Sequence, residues 1–158
     1  MAEFADDRTV LTRHGCDELQ RELDEILKVK RPEVVQRIRE ARALGDLSEN
    51  FDYHDAKRTQ GLLEARIREL KAILSRAIVV ETEANGHITV GSQVIVRDME
   101  EGFEDKYTIV GPAESSPSEG KISHVSCVGS SLMGKRVGDI ITVETPGGEL
   151  RYEIVSVQ

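Results

Sequence analysis

The segment Gly45-Asp46-Leu47-Ser48-Glu49-Asn50 separates two stretches of helical character. Asp46 and Glu49 stand three residues apart at a bend, where both carboxylates can point outward. Carboxylate oxygens are hard ligands suited to Mg²⁺, which takes one or two of them and keeps positions open for water and phosphate. Arg37, Arg39, Arg42, Lys57 and Arg58 stand behind the bend on the flanking arms. Such cations hold phosphate oxygens. Acids at an apex with bases behind fit metal-assisted phosphodiester chemistry better than plain nucleic-acid binding. A plainer reading competes. Asp, Ser, Glu and Asn between helices are ordinary capping residues: Asp46 or Ser48 would cap the second helix, and Glu49 would favour its positive end. From spacing alone, capping is the preferred reading. Two carboxylates are also an incomplete metal site, so a partner must complete it.

Other reactive residues form no constellation. His14, His54, His87 and His124 show no ligand pairing and read as surface or packing residues, with His54 nearest the bend. Cys16 and Cys127 are far apart and lack an adjacent base, so they read as packing thiols in a reducing compartment. Ser130 and Ser131 lack a G-x-S-x-G context.

The elements that must position the bend are legible. Tyr53, Ala56, Gln60, Leu63, Ile67, Leu70 and Leu74 alternate at spacings of three and four, a coiled-coil seam with only Gln60 polar. The preceding arm offers Leu19, Leu23, Ile26, Val34, Ile38 and Ala41. Thr12 is placed to cap its start, and Pro32 predicts a kink or restart. Neither stripe buries much alone, so each is expected to cover the other in an antiparallel hairpin roughly 40–45 Å long. Such a hairpin is a dimerisation surface or a probe. Beyond residue 77 the texture turns to short Val/Ile/Thr runs between Gly, Pro and Ser. Strands are expected near 78–81, 93–99, 106–111, 121–127, 139–145 and 149–157, with a short helix over 130–135. The predicted architecture is α+β: a helical hairpin over 1–76, a boundary over 77–90 and a mainly β domain over 91–158.

Composition narrows the function. The 158 residues are 39% apolar, 32% charged and only 4% aromatic. No apolar run reaches the roughly 18 residues of a spanning helix. The start, MAEFADDRTVL, is acidic where a secretory signal would be basic, so a cytoplasmic location and no membrane partner are expected. The net charge of −8 splits into −1 over residues 1–76 and −7 over 77–158. The acidic half repels bare nucleic acid at long range, which argues against a general nucleic-acid coat.

Several stretches resemble bacterial Gre transcript-cleavage factors, the GreA branch in particular. These are Lys30-Arg31-Pro32-Glu33-Val34, then Ala41-Arg42-Ala43-Leu44-Gly45-Asp46-Leu47-Ser48-Glu49-Asn50 with Tyr53-His54, and Gln60-Gly61 followed by Glu64-Ala65-Arg66-Ile67. The tail from Gly134-Lys135 to Thr145-Pro146-Gly147-Gly148-Glu149 resembles the same family. The resemblance implies an N-terminal antiparallel coiled coil and an FKBP-like C-terminal domain. It also implies a monomeric accessory factor, not a free-standing enzyme. Its C-terminal domain would dock on bacterial RNA polymerase, and its coiled coil would enter the secondary channel. There Asp46 and Glu49 would help hold a catalytic Mg²⁺ shared with the polymerase. Arg42 and Lys57 would contact the 3′ end of backtracked RNA. Two departures stand out: Phe51 and Asp52 occupy positions where small residues or Glu are common, and Ser126-Cys127-Val128 replaces Ser-Pro plus an aliphatic residue.

Two alternatives remain open at the level of sequence. One is a regulator of the same shape that occupies the channel without cleavage. The other is a peptidyl-prolyl isomerase or chaperone, disfavoured because only Phe103, Tyr107 and Tyr152 are available to line a pocket.

Overall fold

The computed structural model describes residues 8–46, 48–81 and 85–158. They form two compact units, one of residues 17–76 and one of residues 8–16 with 77–158.

The first unit takes α1 (Arg13–Glu25) from Asp17 onward, and a π-helical turn (Ile26–Lys30) and α2 (Arg31–Ala43) follow it directly. The π turn is how the chain accommodates Pro32, which sits in the first turn of α2. Proline has no N–H to give, and its ring crowds the carbonyl four residues back. The turn before it widens instead, and the Arg31 N–H bonds the Ile26 carbonyl. The expected interruption is thus a widened turn, not a break. The returning arm is α3 (Phe51–Ser75), 25 residues and about 37 Å long at the usual rise. Leu19, Leu23, Ile26, Val34, Ile38 and Ala41 are buried, as are Ala56, Ile67 and Leu70 from α3. Tyr53 and Leu63 pack against Val34, Ile38 and Ala56. Ion pairs join the two arms outside this seam. Arg66 grips Glu22 with two bonds of 2.7 and 2.8 Å, and Arg31 meets Glu64 at 2.8 Å.

The second unit contains a two-stranded parallel ribbon of β1 (Thr9–Thr12) and β2 (Ala77–Val80). It also contains a five-stranded sheet in the order β5-β4-β3-β7-β6. The sheet strands are β3 (Gln93–Asp98), β4 (Glu104–Val110), β5 (Lys121–Ser123), β6 (Ile140–Thr145) and β7 (Gly148–Val157). All pairings are antiparallel except β4 with β5. Alternate residues point into one core: Val94 and Val96, Ile141 and Val143, Tyr152 and Ile154. Ile88, Ile109 and Leu132 complete it, the last from α4 (Cys127–Leu132).

Three expectations are corrected here. Residues 8–16 do not join the helical unit, because β1 pairs with β2; the stretch 77–90 supplies β2 and the buried Ile88 and Val90 to the second unit. The strand expected over 121–127 stops at Ser123, since Ser126 caps a helix by accepting the Gly129 N–H at 3.1 Å. That helix therefore starts at Cys127, three residues before its expected position. Residues 82–84 of the expected boundary and Leu47 of the bend lie outside the described residues.

Thr12 does cap α1: its Oγ1 accepts the Gly15 N–H at 3.0 Å. Its own N–H and hydroxyl donate to the Glu114 carboxylate at 2.7 and 2.5 Å. Two glycines permit this close packing. A Cβ on Gly15 would lie 1.7 Å from Glu114 Oε1, and one on Gly111 would lie 1.7 Å from the Val10 carbonyl oxygen. Among the described residues, no helix is long and apolar enough to cross a membrane.

Candidate functional site

The bend is built by residues whose local duties are distinct. α2 ends at Ala43 with Leu44 as its C-cap, and Gly45 follows with φ at 117°, a conformation that glycine adopts without strain. The cap of α3 is Asn50, not Asp46 or Ser48 as the capping reading expected. Its Oδ1 accepts the Tyr53 N–H at 3.0 Å, and its Nδ2 donates to the Ala41 carbonyl at 2.6 Å. One side chain therefore satisfies an orphan donor of α3 and a terminal carbonyl of α2, tying the arms together at their ends.

Asp46 is fully exposed. Its Oδ1 accepts from the Ser48 N–H at 3.0 Å and from the Ser48 hydroxyl at 2.9 Å. These bonds, the backbone one first, hold its carboxyl below the usual carboxylate range. Both use Oδ1, so Oδ2 has no bond to a described residue. Glu49 is exposed as well, and its carboxylate bonds none of the described residues. The bend thus offers uncommitted hard oxygens from two residues, the donor type Mg²⁺ prefers. Among the described residues, no group of three or more acids, histidines or cysteines is placed to hold a metal. Two carboxylates supply fewer oxygens than Mg²⁺ takes, so other groups would have to complete its shell.

The five cations expected behind the bend divide into two sets. Arg39, Arg42 and Lys57 line one groove of about 220 Å³ with Val35, Ile38 and Gln60. There the Arg42 guanidinium lies 5.7 Å from the Tyr53 ring centroid, and Lys57 Nζ donates to Gln60 at 3.1 Å. Arg37 and Arg58 instead share Asp55, at 3.1 and 3.4 Å. Arg42 and Lys57, which the resemblance singled out, therefore lie in one groove, with Arg39 beside them. Phe51 is 80% exposed.

The remaining candidates stand apart. His54 leans edge-on against Tyr53 at 5.6 Å. His87 contacts Arg136. Cys16 is half-buried, but Cys127 is exposed at the start of α4 and is not the packing thiol expected. A cavity of about 510 Å³ in the second unit is lined by Thr12, Val80, Gln93, Val110, Glu114 and other residues, with no Phe or Tyr. Tyr152 is in the core and Phe103 is 70% exposed, so neither forms an aromatic pocket there. Sequence reasoning did not find the double role of Asn50 or the Arg66–Glu22 bridge. The Asn-x-x-Tyr spacing before a helical run was the available signal for the first.

A family profile described as "Transcription elongation factor, N-terminal" (GreA/GreB) matches residues 9–79, and its C-terminal GreA/GreB counterpart matches residues 83–158. The chain belongs to the GreA/GreB family of transcription elongation factors. It is similar to the transcription elongation factor GreA of Chloroflexus aggregans, at 45% identity over 95% of this chain and 97% of that one. A second GreA, from a Roseiflexus species, is 46% identical over 98% of this chain and its whole own length. Among solved structures, GreA factor homolog 1 of Thermus thermophilus is 30% identical, with 96% of this chain and 99% of that one covered and a TM-score of 0.44.

Proposed function

We propose that this factor enters the secondary channel of bacterial RNA polymerase and stimulates cleavage of backtracked RNA by the polymerase's own active site. One observation carries the reading: Asp46 and Glu49 are both exposed between the ends of two long helices, with no partner for three of their four carboxylate oxygens among the described residues. A two-carboxylate set is of use where another protein and a phosphodiester supply the other ligands. A Mg²⁺ ion bound there would polarise a phosphate oxygen and lower the pKa of an attacking water.

The chain's own residues have defined tasks in this reading. Asn50 fixes the bend, so that Asp46 and Glu49 arrive at a set spacing. The Ser48 bonds orient the Asp46 carboxylate. Arg39, Arg42 and Lys57 line a groove that holds RNA phosphates a turn or more behind the acids. In this reading the polymerase's own active site breaks the phosphodiester, and the factor is an accessory to it. A cytoplasmic location follows from such a partner.

The test is single-turnover cleavage of labelled RNA in stalled, backtracked polymerase complexes. Wild type is expected to shorten the RNA in a Mg²⁺-dependent way. Asp46→Asn with Glu49→Gln is expected to abolish this while polymerase affinity stays within about twofold. Full activity in the double variant would overturn the role of the carboxylates. Binding without cleavage in wild type would mark a factor that only occupies the channel.

A further inference from the structure

We propose that Phe51, with His54 and Arg58 behind it, forms a stacking track for unpaired bases at an RNA 3′ end. The proposal rests on the reading that the bend meets extruded RNA, and it adds residues to which the resemblance gave no role.

Phe51 is the first residue of α3 and is 80% exposed, more than any other large apolar side chain described. Nothing in the hairpin seam needs a ring at that position, since Tyr53, Ala56 and Leu63 already fill it. Residues 51, 54 and 58 fall at i, i+3 and i+7, so they share one stripe of α3. Phe51, His54 and Arg58 are all exposed on it. The stripe runs from an apolar ring, past an imidazole, to a guanidinium.

The charge on the stripe favours RNA over an apolar protein surface. Arg58 is 77% exposed and lies 3.4 Å from Asp55, which Arg37 also holds at 3.1 Å. Two guanidiniums on one carboxylate leave that three-residue cluster one positive charge in excess, although Arg37 also lines a groove with Glu40 and Asp52. Aromatic faces accept any base, and neighbouring cations hold the phosphates between bases. Histidine and arginine planes stack on bases as well. An exposed aromatic beside the acids would fix the 3′-terminal nucleotide, and hence its phosphodiester, at a defined depth relative to Asp46 and Glu49.

The test uses the full chain and backtracked polymerase complexes whose extruded 3′-terminal nucleotide is either intact or abasic. Factor affinity and cleavage rate are measured on both, and affinity also on complexes without extruded RNA. With intact RNA, Phe51→Ala and Phe51→Leu are each expected to weaken binding roughly 5- to 150-fold, the range of one base–aromatic stack, while Phe51→Trp stays near wild type. Abasic RNA is expected to weaken wild type by the same factor and to add nothing to Phe51→Ala. Affinity without extruded RNA stays unchanged in every variant.

The proposal is overturned if Leu serves as well as Phe, if Ala loses as much on abasic as on intact RNA, or if the loss appears without extruded RNA. In those cases the ring packs on protein. No loss in any variant overturns it too, leaving the ring merely solvated. The binding comparison does not need cleavage. A wild type that binds but does not cleave removes the carboxylate reading and leaves the stacking result to stand or fall alone. Failure of wild type to bind the polymerase removes both.

Discussion

Asn50 holds the bend by two bonds that substitution can separate. Its Oδ1 caps the Tyr53 N–H, an arrangement worth about 1 kcal/mol against alanine. Its Nδ2 reaches the Ala41 carbonyl at 2.6 Å, a half-buried bond worth about another 1 kcal/mol. Asn50→Ala loses both, about 2 kcal/mol. Asn50→Ser keeps an oxygen for the cap and loses only the reach to α2, about 1 kcal/mol. Asn50→Asp also keeps the cap, but it sets a carboxylate against the Ala41 carbonyl and should fall below serine. Amide hydrogen exchange reads this locally, which matters because a chain of two compact units need not unfold in one step. At about 1.4 kcal/mol per decade, the Tyr53 amide should exchange roughly 30-fold faster in Asn50→Ala and roughly 5-fold faster in Asn50→Ser. Amides in the middle of α3, near Ile67, should not change. Tyr53 exchange within twofold of wild type in the alanine variant would refute the assignment of Asn50 as the tie between the arms.

Gly111→Ala would put a methyl 1.7 Å from the Val10 backbone oxygen, so the second unit should lose about 2–4 kcal/mol in urea melts. Gly61→Ala meets nothing within 4 Å inside α3 and should stabilise the hairpin by about 0.5–1 kcal/mol. The Arg66 hydrogen bonds, and secondarily its charge, depress the Glu22 carboxyl below its ordinary value near 4.5. The bridge's stabilisation, about 0.5–1 kcal/mol for a pair more than a third exposed, should therefore be complete above that value. It should vanish as pH falls through the depressed one, which melts of wild type and Glu22→Gln at stepped pH will show. Glu49→Gln should leave stability within about 0.5 kcal/mol by the same melts, while cleavage stimulation drops.

The hairpin was legible because its seam is periodic. Every residue from Leu19 to Leu70 assigned to the seam is buried or half-buried, since a spacing of three and four admits one face only. The core strands were legible for the same reason at period two. What escaped was long-range. Nothing local in Thr9–Thr12 says that its partner strand lies beyond residue 76, so residues 8–16 fall on the other side of the boundary from the one their sequence suggests. Pro32 announced a disturbance but not its form, because a break and a widened turn relieve the same clash. At the bend, residue type could not apportion the work. Asp, Ser and Asn are all good caps, and which one caps depends on where the chain reverses.

That apportionment decides how the acids should be read. Had Asp46 capped α3, its charge would be explained by helix stability, and a metal role would be an unneeded addition. Asn50 does the capping, and does it with a neutral side chain that also reaches α2. Asp46 spends one oxygen on a local turn with Ser48, and Glu49 spends none on any described residue. Two exposed carboxylates three residues apart, with three of their four oxygens unbonded among the described residues, return little to the fold. A bend made only for stability would do as well with Gln at position 49. The surplus supports the proposed role, in which the acids meet a ligand outside the chain. The two cation sets behind the bend fit a ligand that carries phosphate as well.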